Sequence, residues 1–302
     1  MKTILITGSN GLTGQKLIQL LKNQPEINLV ATSKSPDRFP DNTGYIFETL
    51  DITNFSECDY IISKYKPEVL INASGATNAD ECEADHVMAM EINLNGVKNL
   101  VKCCNKYQAQ LIHLSTDFVF DGVKGMYSES DTPNPVSFYG YSKLAGEEYV
   151  LENAVSKAVV RTVLVYGLNK NMVRSNIVLW VKNNLEQGNA IKVVDDQFRT
   201  PTYAEDLALG CLLVAENNAQ GIFHISGPQY LSIYEMALKV AEVFNLDKAL
   251  ISPVSSISLN EKAKRPPRTG FDITKARIEL GYNPVSFDEG LKLFKEQLGK
   301  FV

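Results

Sequence analysis

The chain opens Lys2-Thr-Ile-Leu-Ile-Thr7 and passes straight into Gly8-Ser-Asn-Gly11-Leu-Thr-Gly14. A short apolar, β-branched run without polar alternation is the pattern of a strand buried on both faces. From Leu12 to Lys22 the apolar residues Leu12, Leu17, Ile18, Leu20 and Leu21 fall at helical spacing. The three glycines therefore occupy the turn between a strand and a helix. Glycine there permits the tight turn and lets backbone approach a pyrophosphate, while the helix N-terminus offers unpaired N–H groups and the positive end of its dipole. Gly8, Asn10, Gly11, Leu12 and Gly14 are the residues expected around the phosphates of a dinucleotide.

The alternation continues outward from this unit. Asn28–Ser33, Tyr45–Leu50, Glu68–Asn72 and Gln110–Ser115 read as strands, and Phe55–Tyr65 and Met88–Tyr107 as helices. Strands separated by helices predict an α/β protein with a Rossmann-type, doubly wound parallel sheet. A Gly/Ser/Pro/Asp-rich stretch, Asp121–Ser137, interrupts the pattern. A helix over Phe138–Asn153 and a strand over Ala158–Tyr166 follow. Beyond Gly167 the expected elements are helix Asn176–Gln187, strand Ala190–Val194, a loop through Arg199–Pro201, helix Ala204–Glu216 and a returning strand at Ile222–Ser226. Helix Ser232–Phe244, a polar loop Pro253–Thr269 and helix Ser286–Leu298 complete the chain. Residues 1–168, with a returning segment near 204–226, form the expected coenzyme-binding domain, and 169–302 mainly a smaller substrate lobe.

Composition narrows the function. The 302 residues carry 30 basic and 35 acidic side chains, net −5. That balance argues against a nucleic-acid partner or a polybasic membrane surface. Five cysteines, one pair adjacent and none in a CxxC spacing, suggest neither a disulfide framework nor a zinc site. No window approaches the roughly 18 apolar residues of a membrane span, and the N-terminal apolar run is too short for a signal peptide. A cytoplasmic protein with reduced thiols is expected.

The coenzyme's identity is legible at the end of the second strand, where an NAD site carries Asp or Glu about 20 residues beyond the glycines. This chain has Thr32-Ser33-Lys34-Ser35, with Arg38 close behind. Hydroxyls and cations suit a 2′-phosphate, so Ser33 and Lys34 favour NADP(H) over NAD(H); Asp37 is the competing residue. Further on, Tyr139 and Lys143 stand four apart at the start of a helix, on one face. An ammonium beside a phenol favours the ionised form and makes the phenol a usable general acid/base. Tyr141 has no lysine four residues later. Ser115-Thr116-Asp117 ends the fifth strand, where open α/β sheets bind their ligands. Among the histidines, His113 sits mid-strand between Ile112 and Leu114 and reads as a core residue.

These residues resemble the short-chain dehydrogenase/reductase family in its extended, nucleotide-sugar-modifying branch. The resemblance rests on the glycine motif, Asp51-Ile52, Asn72-Ala73-Ser74-Gly75, Asn93, Thr116 and Tyr139-xxx-Lys143, and it spans nearly the whole chain. Within that branch Thr77–Glu83, Ser115–Gly122, Tyr139–Glu147, Val194–Asp206 and Arg265-Pro266…Asp272…Leu280-Gly281-Tyr282 look most like the dTDP-4-dehydrorhamnose reductases. The resemblance implies Thr116, Tyr139 and Lys143 as catalytic residues. Gly8, Asn10, Gly11, Leu12, Gly14, Ser33, Lys34, Asp51, Ile52, Ala73, Ser74, Gly75 and Asn93, with Tyr139 and Lys143, would hold the coenzyme. Asp117, Phe118, Asn176, Arg199 and Arg265 would face the substrate, the arginines because forked cationic donors suit a diphosphate. The family often has Tyr where this chain has Phe118, and a Trp where it has Leu164. Lys16 stands where some members place an acidic metal ligand, so no metal is carried over.

The expected activity is NADPH-dependent reduction of a nucleotide-activated 4-keto-6-deoxy sugar, leaving room for a homodimer. One alternative is a nucleotide-sugar epimerase or dehydratase of the same family, although Thr116-Asp117-Phe118 lacks the acid–base Glu of the dehydratases. The other is a non-catalytic NADP-binding regulatory subunit like the β subunit of methionine adenosyltransferase.

Overall fold

Residues 1–169, 176–259 and 261–301 are described by a computed structural model. The first half runs β1 (Lys2–Thr7), α1 (Leu12–Leu21), β2 (Ile27–Ser33), β3 (Ile46–Thr49), α2 (Phe55–Tyr65), β4 (Val69–Asn72) and α3 (Ala79–Ala84). There follow α4 (His86–Met90), α5 (Val97–Tyr107), β5 (Gln110–Thr116), β6 (Gly125–Tyr127), α6 (Phe138–Asn153), β7 (Lys157–Thr162) and β8 (Val165–Tyr166). The rest comprises α7 (Ile177–Glu186), β9 (Ile191–Val194), β10 (Phe198–Arg199), β11 (Thr202–Tyr203), α8 (Ala204–Glu216) and β12 (Gly221–His224). Last come β13 (Leu231–Ser232), α9 (Ile233–Phe244), β14 (Ile251–Val254), β15 (Thr269–Phe271), α10 (Thr274–Leu280) and α11 (Phe287–Phe301).

Seven strands form one parallel sheet in the order β12-β7-β5-β4-β1-β2-β3. Alternate residues feed opposite layers, as the two-residue repeat requires. Ile4, Ile6, Ile71 and Ile112 pack with Leu17 and Ile18 of α1 and Leu207 and Cys211 of α8. Leu5, Leu70 and Leu111 face Cys58 and Ile62 of α2, Leu100 of α5 and Val150 of α6. The chain leaves β1 toward β2 on one side and reaches β4 on the other, so a crevice opens between β1 and β4 at their C-terminal ends. The late strand returns beside β7, as its apolar run predicts. A third cluster, including Val178, Val181, Met236, Val240, Phe287 and Phe294, joins α7, α9 and α11. No helix among the described residues is long and apolar enough to cross a membrane.

Two expected elements are broken, both next to the crevice. The helix expected over Met88–Tyr107 is α4 and α5 joined by a π-turn, Glu91–Gly96. Asn93, inside that turn, accepts from the Ala76 amide at 2.9 Å and donates to the Ala76 carbonyl and to Ser142 Oγ. Side-chain bracing of this kind accompanies π-bulges at functional sites. The single strand expected over Ala158–Tyr166 divides at Val163-Leu164, where Thr202 Oγ1 and its amide donate to the two carbonyls and Leu164 takes φ +34°.

Asp206, in the first turn of α8, accepts from the Val285 amide at 3.0 Å and so ties α8 to the segment before α11. Burial, with Glu205 alongside, pushes its carboxyl up to about 6. A carboxyl raised in the folded state makes stability fall as pH rises, here between about pH 4 and pH 6. Asp206→Asn keeps the acceptor without the charge. Its Tm is expected to match the parent near pH 4 and to exceed it at pH 7; an equal or lower Tm at pH 7 would contradict this account.

Candidate active site

The chain leaves β1 and turns through Gly8, whose φ is +70°. A Cβ at Gly8 would lie 2.7 Å from the Ala73 carbonyl carbon and the Ser74 amide, and one at Gly14 would lie 2.4 Å from the Gly8 oxygen. Side chains are excluded at both positions, so backbone closes on backbone. Gly11 caps α1 without any side-chain hydrogen bond to the helix, and Ser9 Oγ is buried without a partner. Open helix N–H groups and a dipole end, on a loop held tight by close backbone packing, suit a pyrophosphate. The residues present fit a dinucleotide.

One cleft of about 850 Å³ runs over the C-terminal ends of the strands. Asn10, Gly11, Leu12 and Gly14 line it from the glycine loop, Ser33, Ser35 and Arg38 from the end of β2, and Ala73, Ser74 and Gly75 from the end of β4. Ser115 and Thr116 enter from β5, Tyr139 and Lys143 from α6. Asp117, Phe118, Leu164, Asn176, Arg199 and Arg265 close the other part. Five residues named from the sequence for the coenzyme do not line the cleft. Gly8 lies beneath the loop; Lys34 is turned to the Asp51 carboxylate at 2.7 Å; Ile52 is buried against Gly96; and Asn93 braces Ala76 and Ser142. Ser35 and Arg38 stand instead where Lys34 is expected.

The chemistry gathers on α6. Tyr139 is buried at the cleft wall, with the Phe118 ring edge-on at 5.4 Å. Lys143, one turn later and 5% exposed, donates to the Leu114 carbonyl at 2.7 Å. Burial pulls its ammonium down to about 8, although Glu147 one turn further opposes the shift. Gly75, whose Cβ position lies 3.7 Å from Lys143 Nζ, lines the cleft beside it. Thr116 Oγ1 donates to Asp117 Oδ1 at 3.2 Å and accepts from the Phe118 amide at 3.3 Å. Beneath the cleft floor Thr7 donates to Asn72 Oδ1, whose amide nitrogen lies 3.0 Å from His113 Nδ1. Asn72 Nδ2 is a donor, so His113 Nδ1 must accept and the imidazole is neutral. Burial holds it well below its ordinary range, as befits the core residue its position predicts.

The two arginines expected to face a substrate have partners within the protein. Arg199 donates to the carbonyls of Phe198, Pro266 and Pro267, and its Nε lies 3.4 Å from Asp117 Oδ2. Asp117 also accepts from Thr269 Oγ1, and burial pushes its carboxyl up against the pull of Arg199. Arg199 is thus a strut binding the segment before β15 to the turn after β5. Arg265 pairs with Asp80 and Glu261, each at 3.0 Å. Asn176 caps α7 and donates to the Gly167 carbonyl. Residue type and a family-like loop point to Arg199 as a ligand; its carbonyl partners at Pro266 and Pro267, 67 and 68 positions away, carry no local signal.

Known proteins resemble this chain along nearly its whole length. The family model described as RmlD substrate binding domain matches residues 1–299. A dTDP-4-dehydrorhamnose reductase of Aggregatibacter actinomycetemcomitans is 30% identical, covering 97% of this chain and 98% of its own. A crystal structure of dTDP-4-dehydrorhamnose reductase from Bacillus anthracis in complex with NADP superposes with TM-score 0.88 at 30% identity, covering 98% of this chain and all of the other. Methionine adenosyltransferase 2 subunit beta of Bos taurus is 29% identical over 91% of this chain and 81% of its own.

Proposed function

The chain belongs to the RmlD substrate binding domain family, and from that premise we propose that it is an NADPH-dependent reductase of a nucleotide-activated 4-keto-6-deoxy sugar. The observation that carries this reading is the convergence of Thr116, Tyr139 and Lys143 on the cleft that the glycine loop also lines. Bound NADPH supplies a hydride equivalent for the ketone carbon. Tyr139 gives its phenolic proton to the ketone oxygen, and the Thr116 hydroxyl donates to the same oxygen. The Lys143 ammonium holds the ribose and favours departure of the Tyr139 proton. Phe118 and Leu164 present an apolar wall where a deoxy sugar needs no hydrogen-bonding partner. Residues 1–168 with 204–226 carry the coenzyme in this reading, and 169–302 mainly the sugar nucleotide.

NADP(H) is favoured because the side chains at the end of β2 are sorted by charge. Ser35 and Arg38 line the cleft, whereas Asp37 accepts from the Tyr45 hydroxyl at 2.6 Å and from the Phe39 amide. The test is NADPH oxidation by purified protein against a panel of dTDP- and UDP-linked 4-keto-6-deoxy sugars. Turnover with at least one is expected, and none with any would reject the reductase. The similarity to methionine adenosyltransferase subunit β supports a second reading, a regulatory subunit. It requires NADPH binding without turnover, together with a stable complex with a methionine adenosyltransferase.

The two arginines are expected to separate in kinetics. Arg265→Ala removes a cation that already faces two carboxylates, so its loss should raise the sugar-nucleotide KM by about tenfold, the low end for a charge-assisted hydrogen bond. Arg199→Ala should lower Tm as well as raise KM, since it releases three carbonyls and leaves Asp117 buried without its cation. Steady-state kinetics with thermal unfolding decide it; an unchanged Tm for Arg199→Ala would contradict the strut.

A further inference from the structure

Asn10 belongs to the glycine loop, yet its whole side chain is spent on another segment. Nδ2 donates to the Pro36 carbonyl at 2.9 Å, the Ser35 carbonyl at 3.2 Å and Ser35 Oγ at 3.1 Å, and Oδ1 accepts from the Arg38 amide at 2.9 Å. The amide orientation is set by these partners, because only Oδ1 can accept from an N–H and only Nδ2 can donate to carbonyls. The clamped residues follow β2, beyond the last paired strand residue, Ser33. Within the clamp the residues divide: Ser35 and Arg38 line the cleft, and the carboxylate between them is held on Tyr45. Lys34, just before it, is drawn off to Asp51.

We propose that Asn10 is a positioning residue for coenzyme selectivity: it holds segment 35–38 so that a hydroxyl and a guanidinium, rather than the Asp37 carboxylate, meet the ribose 2′ position. The inference rests on the NADP(H) reading above. Forked cationic donors recognise a phosphate, whereas a carboxylate in the same place accepts from a ribose diol and repels the phosphate. Without the clamp, segment 35–38 loses four hydrogen bonds to the glycine loop. The Arg38 backbone is then no longer fixed over the cleft, whereas Asp37 keeps its own hold on the Tyr45 hydroxyl. Asn10 acts through Arg38, its own side chain being taken up by Ser35, Pro36 and the Arg38 amide.

The experiment is separate titration of NADPH and of NADH, by nucleotide fluorescence, into the parent, Asn10→Ala, Asn10→Asp, Arg38→Ala and the Asn10→Ala/Arg38→Ala pair. The parent is expected to bind NADPH more tightly than NADH. Loss of one charge-assisted contact corresponds to about a tenfold or larger weakening, so both single alanine variants should lose that much for NADPH while NADH moves by less than about threefold. Asn10→Asp should behave like Asn10→Ala, because it keeps an acceptor for the Arg38 amide but sets a carboxylate against two carbonyls. The double variant should be no worse than Arg38→Ala, the mark of one residue acting through another. Thermal unfolding, read without nucleotide, shows that each variant is folded. Equal parent affinities for the two nucleotides would reject the coenzyme reading itself. Parent selectivity with Asn10→Ala weakening both nucleotides alike, or with additive effects in the pair, would overturn the clamp alone.

Discussion

Tyr139→Phe is expected to lower kcat for sugar reduction by about a hundred- to ten-thousandfold, the range ascribed to a positioned proton donor, with the NADPH Kd nearly unchanged. The substitution removes one hydroxyl and leaves the ring packed against Cys82, Ala89 and Phe118. Tyr141, two residues on, is 52% exposed and leans on Phe138, so Tyr141→Phe should stay within about twofold of the parent, as surface changes do. Single-turnover NADPH oxidation with coenzyme titration separates the two; equal losses would refute the assignment of the proton donor. Lys143 supplies a second readout. With its ammonium pulled down to about 8, the free protein loses that charge across the mildly alkaline range, and kcat/KM for reduction should fall above about pH 8. A flat profile to pH 9.5 would mean that Lys143 stays charged or is not needed.

The second large effect lies behind the site. Glu147, on the helix of Tyr139 and Lys143, pairs with Arg161 of β7 with both side chains 1% exposed. Arg161 Nε is 3.1 Å from each carboxylate oxygen, and its guanidinium stands over the Phe120 ring. Its Nη1 lies 3.4 Å from His224 Nε2. His224 Nδ1 faces the Tyr127 carbonyl at 3.1 Å, so that nitrogen must donate and Nε2 accepts from Arg161. Burial and the arginine charge push His224 down to about 3, which keeps it neutral. Breaking a buried ion pair from one side costs about 3–5 kcal/mol, because the other charge stays buried without its partner. Arg161→Met and Glu147→Leu should therefore each lower Tm by roughly 10 °C. The double variant leaves no orphan charge and should regain most of that loss. Thermal unfolding of the three variants decides it, and a double variant as unstable as the sum of the singles would show that the cost lies in packing.

The sequence by itself determined the elements whose signals are local. Helices over Phe55–Tyr65, Phe138–Asn153 and Ala204–Glu216 run between the residues where their patterns begin and end. Caps mark several starts, as Asn54 and Ser137 do through hydrogen bonds to the first turn. The glycine loop and the Tyr139–Lys143 face were legible for the same reason, since spacing along one helix or one turn is a property of neighbours. Only the tertiary structure decided the rest. The π-turn in the helix expected over Met88–Tyr107 and the break at Leu164 are braced by Ala76 and Thr202, residues distant in the chain. Ser35 and Arg38 reach the cleft while Lys34 and Asp37 do not, because Asn10, Asp51 and Tyr45 claim each member of that segment separately. Arg199, expected from its type and its family-like loop to meet a diphosphate, lines the cleft and is also held as a strut because folding delivers the carbonyls of Pro266 and Pro267 to its guanidinium. A charged side chain goes where its desolvation is best repaid, and those partners exist only after the strands have brought remote segments together.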